Sequence, residues 1–328
     1  MAAPTESRQA EIHLATLDRL AEERGIGLEH DAPLGALTTL RVGGTADRMT
    51  TATSKGELVA ALRLAHDAGV RAGVLGKGSD IVVADGGVRG LVIRNRADGI
   101  AIDGTTVRTE SGTAMAALVK RCTAAGLAGI EFGISIPGTV GGAIWANAGA
   151  HEGEMKDIVV EVDAWSREHD EAITLTNADC AFAYRDSRFK AGSEIVLEAV
   201  LQLRAGDPGE VAAQVAAHQA HRRATQPLAD QNAGSVFRNP PGDHAGRLID
   251  AAGLKGHRIG SAEVSSLHAN FIVVDRSGRA EDVRAVGDHV RSVVADRFGV
   301  ELQYEIEFVG DWDGNGRWAT PTAELAGT

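Results

Sequence analysis

The chain has 328 residues, enough for two or three domains with their own cores, and its 44% hydrophobic and 24% charged content is globular rather than disordered. A net charge of −12 argues against a nucleic-acid backbone or an anionic membrane surface as partner, while local arginines and loop amides can still hold a small anion. Cys122 and Cys180 stand in no CxxC or metal spacing, no apolar run nears the roughly 20 residues that span a bilayer, and the first residues lack a signal-peptide core, so a cytoplasmic protein with two ordinary thiols is expected.

In chain order, residues 7–24 read as an amphipathic helix, with Ile12, Leu14, Leu17, Leu20 and Ala21 at helical spacing. Thr38 to Gly44 is a short strand closing on paired glycines. Lys55 to Ala68 is a helix capped by Ser54 and stopped at Gly69. Short strands follow at Val88–Ile93, Ile100–Ile102 and Val107–Thr109, and then a helix at Ala114–Ala124. Asp157–Trp165 and Glu194–Leu203 read as an antiparallel pair. Arg204 to Gly209 is polar and turn-rich, the best domain boundary. Helices are expected at Glu210–Arg223 and Glu281–Phe298, with a terminal strand along Glu301–Gly310 and a fraying tail from Asp311. The pattern is α+β.

Two glycine loops interrupt the strands. Val74-Leu-Gly-Lys-Gly-Ser-Asp-Ile-Val-Val83 sits between two apolar strands, so it lacks the following helix of a dinucleotide fingerprint and the Ser or Thr spacing of a P-loop. Glu131-Phe-Gly-Ile-Ser-Ile-Pro-Gly-Thr-Val-Gly-Gly-Ala143 crowds glycines around Pro137, which fixes its own φ and keeps Ile136 out of the helical region. Loops of this kind bring backbone N–H groups close to a phosphate. Two of them suit a ligand with a pyrophosphate at its middle.

The second half carries the polar constellations. Tyr184-Arg-Asp-Ser187 offers Arg185 as a bidentate carboxylate binder, with a surface Arg–Asp pair as the plain alternative. Arg222 and Arg223 at a helix end can offset the helix dipole or face a diphosphate. Ser235 stands in a tight loop, Ala233-Gly-Ser-Val-Phe-Arg-Asn-Pro240, without the G-x-S-x-G elbow of a hydrolase. His268 reads first as a buried hydrogen-bonding residue. Glu301, Gln303, Glu305 and Glu307 share one face of the terminal strand, either toward solvent or with one acid aimed into a site. No metal-ligand set is present, so no catalytic metal is expected.

Taken together, Thr39-Leu-Arg-Val-Gly-Gly, Gly76-Lys-Gly-Ser, Ile136-Pro-Gly-Thr-Val-Gly-Gly, Tyr184-Arg-Asp-Ser, Ala233-Gly-Ser-Val-Phe-Arg-Asn-Pro and His268-Ala-Asn-Phe resemble the UDP-N-acetylenolpyruvoylglucosamine reductase family, in the family's order from about Thr38 to Gly310. The resemblance implies a two-part FAD-binding domain of the p-cresol methylhydroxylase (PCMH) type, at 1–95 and 96–206, a smaller substrate domain at 207–310, and a tail at 311–328. It implies non-covalent FAD, held by Arg41, Gly76, Lys77, Gly78, Ser79, Asp80, Pro137, Gly138, Thr139, Gly141 and Gly142. Carried over by position, Arg185 stabilises an enolate, Ser235 protonates the adjacent carbon and Glu305 is the C-terminal catalytic acid. Tyr184, Arg223, Gln226 and Asn239 fall where members contact the UDP-sugar.

The implied activity is NADPH-dependent reduction of UDP-N-acetylglucosamine enolpyruvate to UDP-N-acetylmuramate, in peptidoglycan synthesis, by a monomer. Between Lys190 and Ile195 the chain is too short for a tyrosine-bearing insertion, so it resembles the shorter branch. It departs from the family at Asp80 (usually Asn), Ser135 (Gly) and Tyr304 (Pro). A carboxylate at position 80 repels a pyrophosphate unless a cation such as Lys77 pairs with it or it turns away. The rival readings are another flavin oxidase of the same superfamily, which would consume oxygen with simple alcohols, and a sensor that binds UDP-sugars without flavin.

Overall fold

The computed structural model describes residues 4–312, so the expected tail lies almost wholly outside the described residues. Helix Lys55–Asp67 starts where Ser54 Oγ accepts from Glu57 N–H at 3.2 Å, and it buries Leu58, Ala61, Leu62, Leu64 and Ala65. That face covers a four-stranded sheet ordered Glu29–Pro33, Thr45–Ala52, Val88–Asn95, Ala72–Leu75. The last two pairings are parallel, and Leu91, Val92 and Ile93 are fully buried, as a strand covered on both faces requires. Helix Pro4–Arg24 adds Leu17 and Ala21 to the same core. Substituting Ser54 by Ala orphans one N-terminal N–H and should cost about 1 kcal/mol in a urea titration, with flavin content unaltered.

The second unit is a five-stranded antiparallel sheet ordered Glu171–Thr176, Val159–Ser166, Glu194–Gln202, Thr106–Glu110, Ile100–Asp103. Helix Met115–Ala124 packs Met115, Leu118, Val119 and Cys122 into its core. Burial pushes both thiols, Cys122 and Cys180, up to about 11. The helix expected at the head of the third unit runs Pro208–Thr225, and its Val215 joins this second core. Its N-cap, Asp207, continues from Arg204–Ala205, which pairs with Leu127–Ala128. The polar stretch at 204–209 is therefore a helix cap rather than a break between cores.

The third core is built from Val236, Phe237, Leu248, Ile249 and Val264, under helix Ala280–Phe298. Its sheet is ordered Gln231–Asn232, Ile272–Val274, Ala262–Val264, Arg258–Ile259. The terminal strand departs from expectation, because only Glu307–Val309 is regular. Upstream, Arg238 N–H donates to Gln303 O (2.9 Å) and Glu305 N–H to Val236 O (2.8 Å). Downstream, Glu307–Val309 pairs in parallel with Ile81–Val83, directly after the first glycine loop. One continuous run thus ties the Ser235 loop to the Gly76 loop. Along its acidic face Glu301 and Gln303 are exposed, Glu305 is half-buried and Glu307 is buried, because the run dives between two units.

Candidate active site

The two glycine loops lie against each other. A Cβ at Gly76 would stand 2.7 Å from Thr139 Oγ1, and one at Gly138 (φ +105°) 2.8 Å from Ser79 Oγ. Beside them opens a cleft of about 940 Å³, lined by Arg41, Gly76, Lys77, Ser79, Pro137 and Thr139, with Arg94, Arg96 and Arg222 on its walls. Such a volume, with glycine contacts no side chain could replace, fits an extended dinucleotide.

Not every expected cofactor residue faces this cleft. Gly78 (φ +57°), Gly138, Gly141 and Gly142 lie outside its lining. Helix Val140–Trp145 begins inside the expected loop, with Thr139 as N-cap. The N–H groups of Val140 and Gly141 donate to Thr113 O and Ser111 O at 2.8 Å each, and Gly142 N–H to Thr139 Oγ1. Those amides are committed to protein. Gly141 is glycine because a Cβ would sit 3.0 Å from Ser111 Cβ, and Gly78 because it abuts Leu37 O. They pack these loops against the segments beside them, at Ser111 and at Leu37–Thr38. Valine at position 138 would be both φ-strained and clashing, so Gly138→Val should raise the Kd for FAD about 10–100-fold while far-UV circular dichroism stays unchanged.

A second cavity of about 410 Å³ adjoins, lined by Tyr184, Arg185, Ser235, Asn239 and Glu305 among others. Gly234 lines the large cleft and Ser235 the small cavity, so this loop forms the divider. Among the described residues none is hydrogen-bonded to the Ser235 hydroxyl, which leaves it to the cavity. Arg185 adopts φ +54°, and its guanidinium is fixed from three sides. Nε donates to Glu305 Oε1 and a terminal nitrogen to Gly149 O, both at 2.8 Å, and the group lies 5.2 Å from the Tyr184 ring centroid. Asn239 Oδ1 accepts from Ala245 N–H at 3.0 Å, and Asn239 N–H reaches Tyr184 Oη at 3.4 Å.

Arg223 is exposed and lines neither cavity; the half-buried Arg222 faces the large cleft instead, and its Nε donates to Gln226 Oε1 at 3.0 Å. Gln226 lines neither cavity, and its side chain is held on Arg222. Adjacent arginines on a helix point about 100° apart, and the sequence holds no sign of which one turns inward. Sequence reasoning also missed Arg247 and Lys255 on the small cavity, and the work of Asn270. Asn270 clamps the Ser235 loop: its Oδ1 accepts from Phe237 N–H at 3.0 Å and its Nδ2 donates to Phe237 O at 2.8 Å. The quoted His268-Ala-Asn-Phe stretch held that residue. His268 lines the cavity, its Nδ1 accepts from Asn270 N–H at 3.2 Å, and burial pushes its pKa down.

Burial pushes Glu305 above the ordinary carboxyl range, against the opposing pull of Arg185. Asp80 is also pushed well above the ordinary range, first by removal from water and then by the Glu305 charge. Among the described residues no ion pair joins it to Lys77, which lines the cleft. The other two departures are accommodated locally. Tyr304 Oη donates to Asp288 at 2.8 Å over Gly287, where a Cβ would strike the phenol, and Ser135 Oγ is hydrogen-bonded to His151 Nε2 at 3.0 Å. No helix of the described residues is long and apolar enough to cross a membrane.

Comparison with known proteins agrees with this geometry. A family model described as an FAD binding domain matches residues 46–173, and one described as the UDP-N-acetylenolpyruvoylglucosamine reductase C-terminal domain matches 226–309. The chain is 46% identical to UDP-N-acetylenolpyruvoylglucosamine reductase 2 of Symbiobacterium thermophilum, over 85% of this chain and 91% of that protein. It is 38% identical to the reductase of Caldicellulosiruptor bescii, over 88% and 93%. The crystal structure of the Thermus caldophilus reductase superposes with a TM-score of 0.75 at 33% identity, covering 86% of this chain and 99% of that one. With its α+β, PCMH-type architecture and these relatives, the chain belongs to the UDP-N-acetylenolpyruvoylglucosamine reductase family.

Proposed function

We propose that this FAD-dependent oxidoreductase uses Arg185, Ser235 and Glu305 to reduce UDP-N-acetylglucosamine enolpyruvate to UDP-N-acetylmuramate, with NADPH as hydride donor, as a step of peptidoglycan synthesis. The observation that carries this reading is the divider. Ser235 offers a hydroxyl without a partner among the described residues to a cavity walled by Arg185 and Glu305, while its neighbour Gly234 borders the cleft fitted to a dinucleotide. FAD, when bound in the large cleft, would supply the hydride chemistry that links NADPH to the enolpyruvyl methylene carbon.

The protein's own groups do the rest. Arg41, Gly76, Lys77, Ser79, Pro137 and Thr139 hold the cofactor, and the arginines on the cleft wall offset its phosphate charge. Arg185 meets the substrate carboxylate. As charge spreads into that carboxylate, a fixed guanidinium in a site of low water content lowers the enolate's energy by a few kcal/mol. Ser235 passes its hydroxyl proton to the carbon that bears the charge. A hydroxyl is a weak acid in water, but an enolate is a strong base and positioning supplies the remainder. Glu305, whose pKa burial raises, can donate a hydrogen bond while protonated. Tyr184 and Asn239 shape the sugar side, with Arg222 and Gln226 acting at the cleft.

We also place the protein in the cytoplasm, as a monomer without membrane or nucleic-acid partner; the net charge of −12 supports the last two points. The test is spectroscopic. Purified protein should be yellow, NADPH should bleach it, and the enolpyruvyl UDP-sugar should restore the colour. A folded, colourless protein that takes up no FAD overturns the reading.

A further inference from the structure

We propose that Tyr304 is a positioning residue that holds the Ser235 hydroxyl in register with Glu305. The inference rests on the role given above to Ser235, and it concerns a side chain that lines neither cavity. Tyr304 is 5% exposed and stands one residue before Glu305. It forms an isolated antiparallel bridge with Phe237, two residues after Ser235. The bonds flanking that bridge are Arg238 N–H to Gln303 O at 2.9 Å and Glu305 N–H to Val236 O at 2.8 Å. So short a ladder is marginal by itself.

The rings supply what the backbone lacks. Phe237 and Tyr304 stack with centroids 5.0 Å apart and planes at 26°. Phe237 lines the small cavity and Tyr304 does not, so the tyrosine backs the ring that forms the cavity wall. Tyr304 is itself fixed from its far side. Its Oη donates to Asp288 at 2.8 Å, Arg291 Cζ lies 5.1 Å from the ring centroid, and Phe308 meets the ring edge-on at 5.0 Å. Arg291 Nε also donates to Leu302 O at 3.0 Å, two residues before the tyrosine. Gly287 leaves room for the phenol, since a Cβ there would stand 2.5 Å from Oη.

Helix Ala280–Phe298 thus sets Tyr304, Tyr304 sets the Phe237 ring, and Asn270 sets the Phe237 backbone. Close-packed rings pass a displacement on rather than absorb it. A proton donor feels such a shift strongly, because misplacement by about 1 Å costs on the order of 10²-fold in rate.

The experiment is a double-mutant cycle on the holoenzyme, with Tyr304→Leu placed in the wild-type and in the Ser235→Ala background and both half-reactions followed by rapid-mixing absorbance. In the wild-type background Tyr304→Leu should slow flavin reoxidation by the enolpyruvyl UDP-sugar about 10- to 100-fold and leave reduction by NADPH within about twofold. In the Ser235→Ala background it should slow reoxidation by no more than about twofold, because the group it positions is gone. A merely structural tyrosine gives the opposite result, a loss that multiplies with that of Ser235→Ala. That multiplication, or wild-type reoxidation in Tyr304→Leu, overturns the proposal. Slowing by Ser235→Ala without slowing by Tyr304→Leu refutes the positioning role alone, whereas an unslowed Ser235→Ala removes the serine's role and the proposal with it. Should Tyr304→Leu not fold, Gly287→Ala makes the same test with the tyrosine kept: its methyl displaces the phenol while alanine favours the helix, and the same slowing must vanish in the Ser235→Ala background.

Discussion

Ser235→Ala is expected to leave flavin reduction by NADPH within about twofold of the wild-type rate and to slow reoxidation by the enolpyruvyl UDP-sugar by about 10²- to 10⁴-fold, the usual contribution of one positioned proton donor. The selectivity follows from where the hydroxyl stands. It supports no backbone group, so its loss leaves the loop held as before by Asn270 on Phe237 and by the Glu305 N–H bond to Val236 O. Hydride arrival from NADPH needs no proton at that place, whereas reduction of the enolpyruvyl group cannot finish without one. Rapid-mixing absorbance resolves the two half-reactions. Equal slowing of both would mean that the substitution disturbs the divider, and no slowing of either would take the serine out of the chemistry.

What was legible in the sequence divides along the range of the interactions. Helix Lys55–Asp67 with its Ser54 cap, and the antiparallel pairing of Val159–Ser166 with Glu194–Gln202, are set by local periodicity and capping, and they stand within a few residues of expectation. Both glycine loops are legible as motifs, while their close approach, Gly76 to Thr139 and Gly138 to Ser79, is a tertiary contact. Which amides remain for a ligand was not legible, because Val140 and Gly141 bond to Thr113 and Ser111, residues with no glycine signal of their own. The choice between Arg222 and Arg223 depends on helix phase against a distant wall. Lys190 with Glu307, 117 residues apart, and Arg185 with Glu305, 120 apart, are tertiary pairs that no local pattern encodes. The terminal strand misled for a related reason: alternation placed the four polar residues on one face correctly, but their burial is graded by a pairing with Ile81–Val83 more than 220 residues upstream.

Arg185→Lys should be nearly as damaging to reoxidation as loss of Ser235, about 10²- to 10³-fold, although the formal charge is kept. The guanidinium is held by two donors at fixed angles, one to Glu305 Oε1 and one to Gly149 O, with its plane near Tyr184. An ammonium on a flexible stem can satisfy one of those acceptors but not reproduce the fork, so the charge moves relative to the site where the enolate forms. A backbone held at φ +54° makes compensation harder, since the left-handed conformation costs a lysine as much as an arginine and leaves the side chain no better direction of approach. The second consequence is electrostatic. Glu305 loses a donor that pulls its pKa down, burial then dominates, and the carboxyl shifts further toward its protonated form at neutral pH. The slowing should therefore come with a basic limb displaced to higher pH. Reoxidation within about threefold of wild type in Arg185→Lys would show that charge alone is needed there, and that the three-sided hold on the guanidinium serves only the fold.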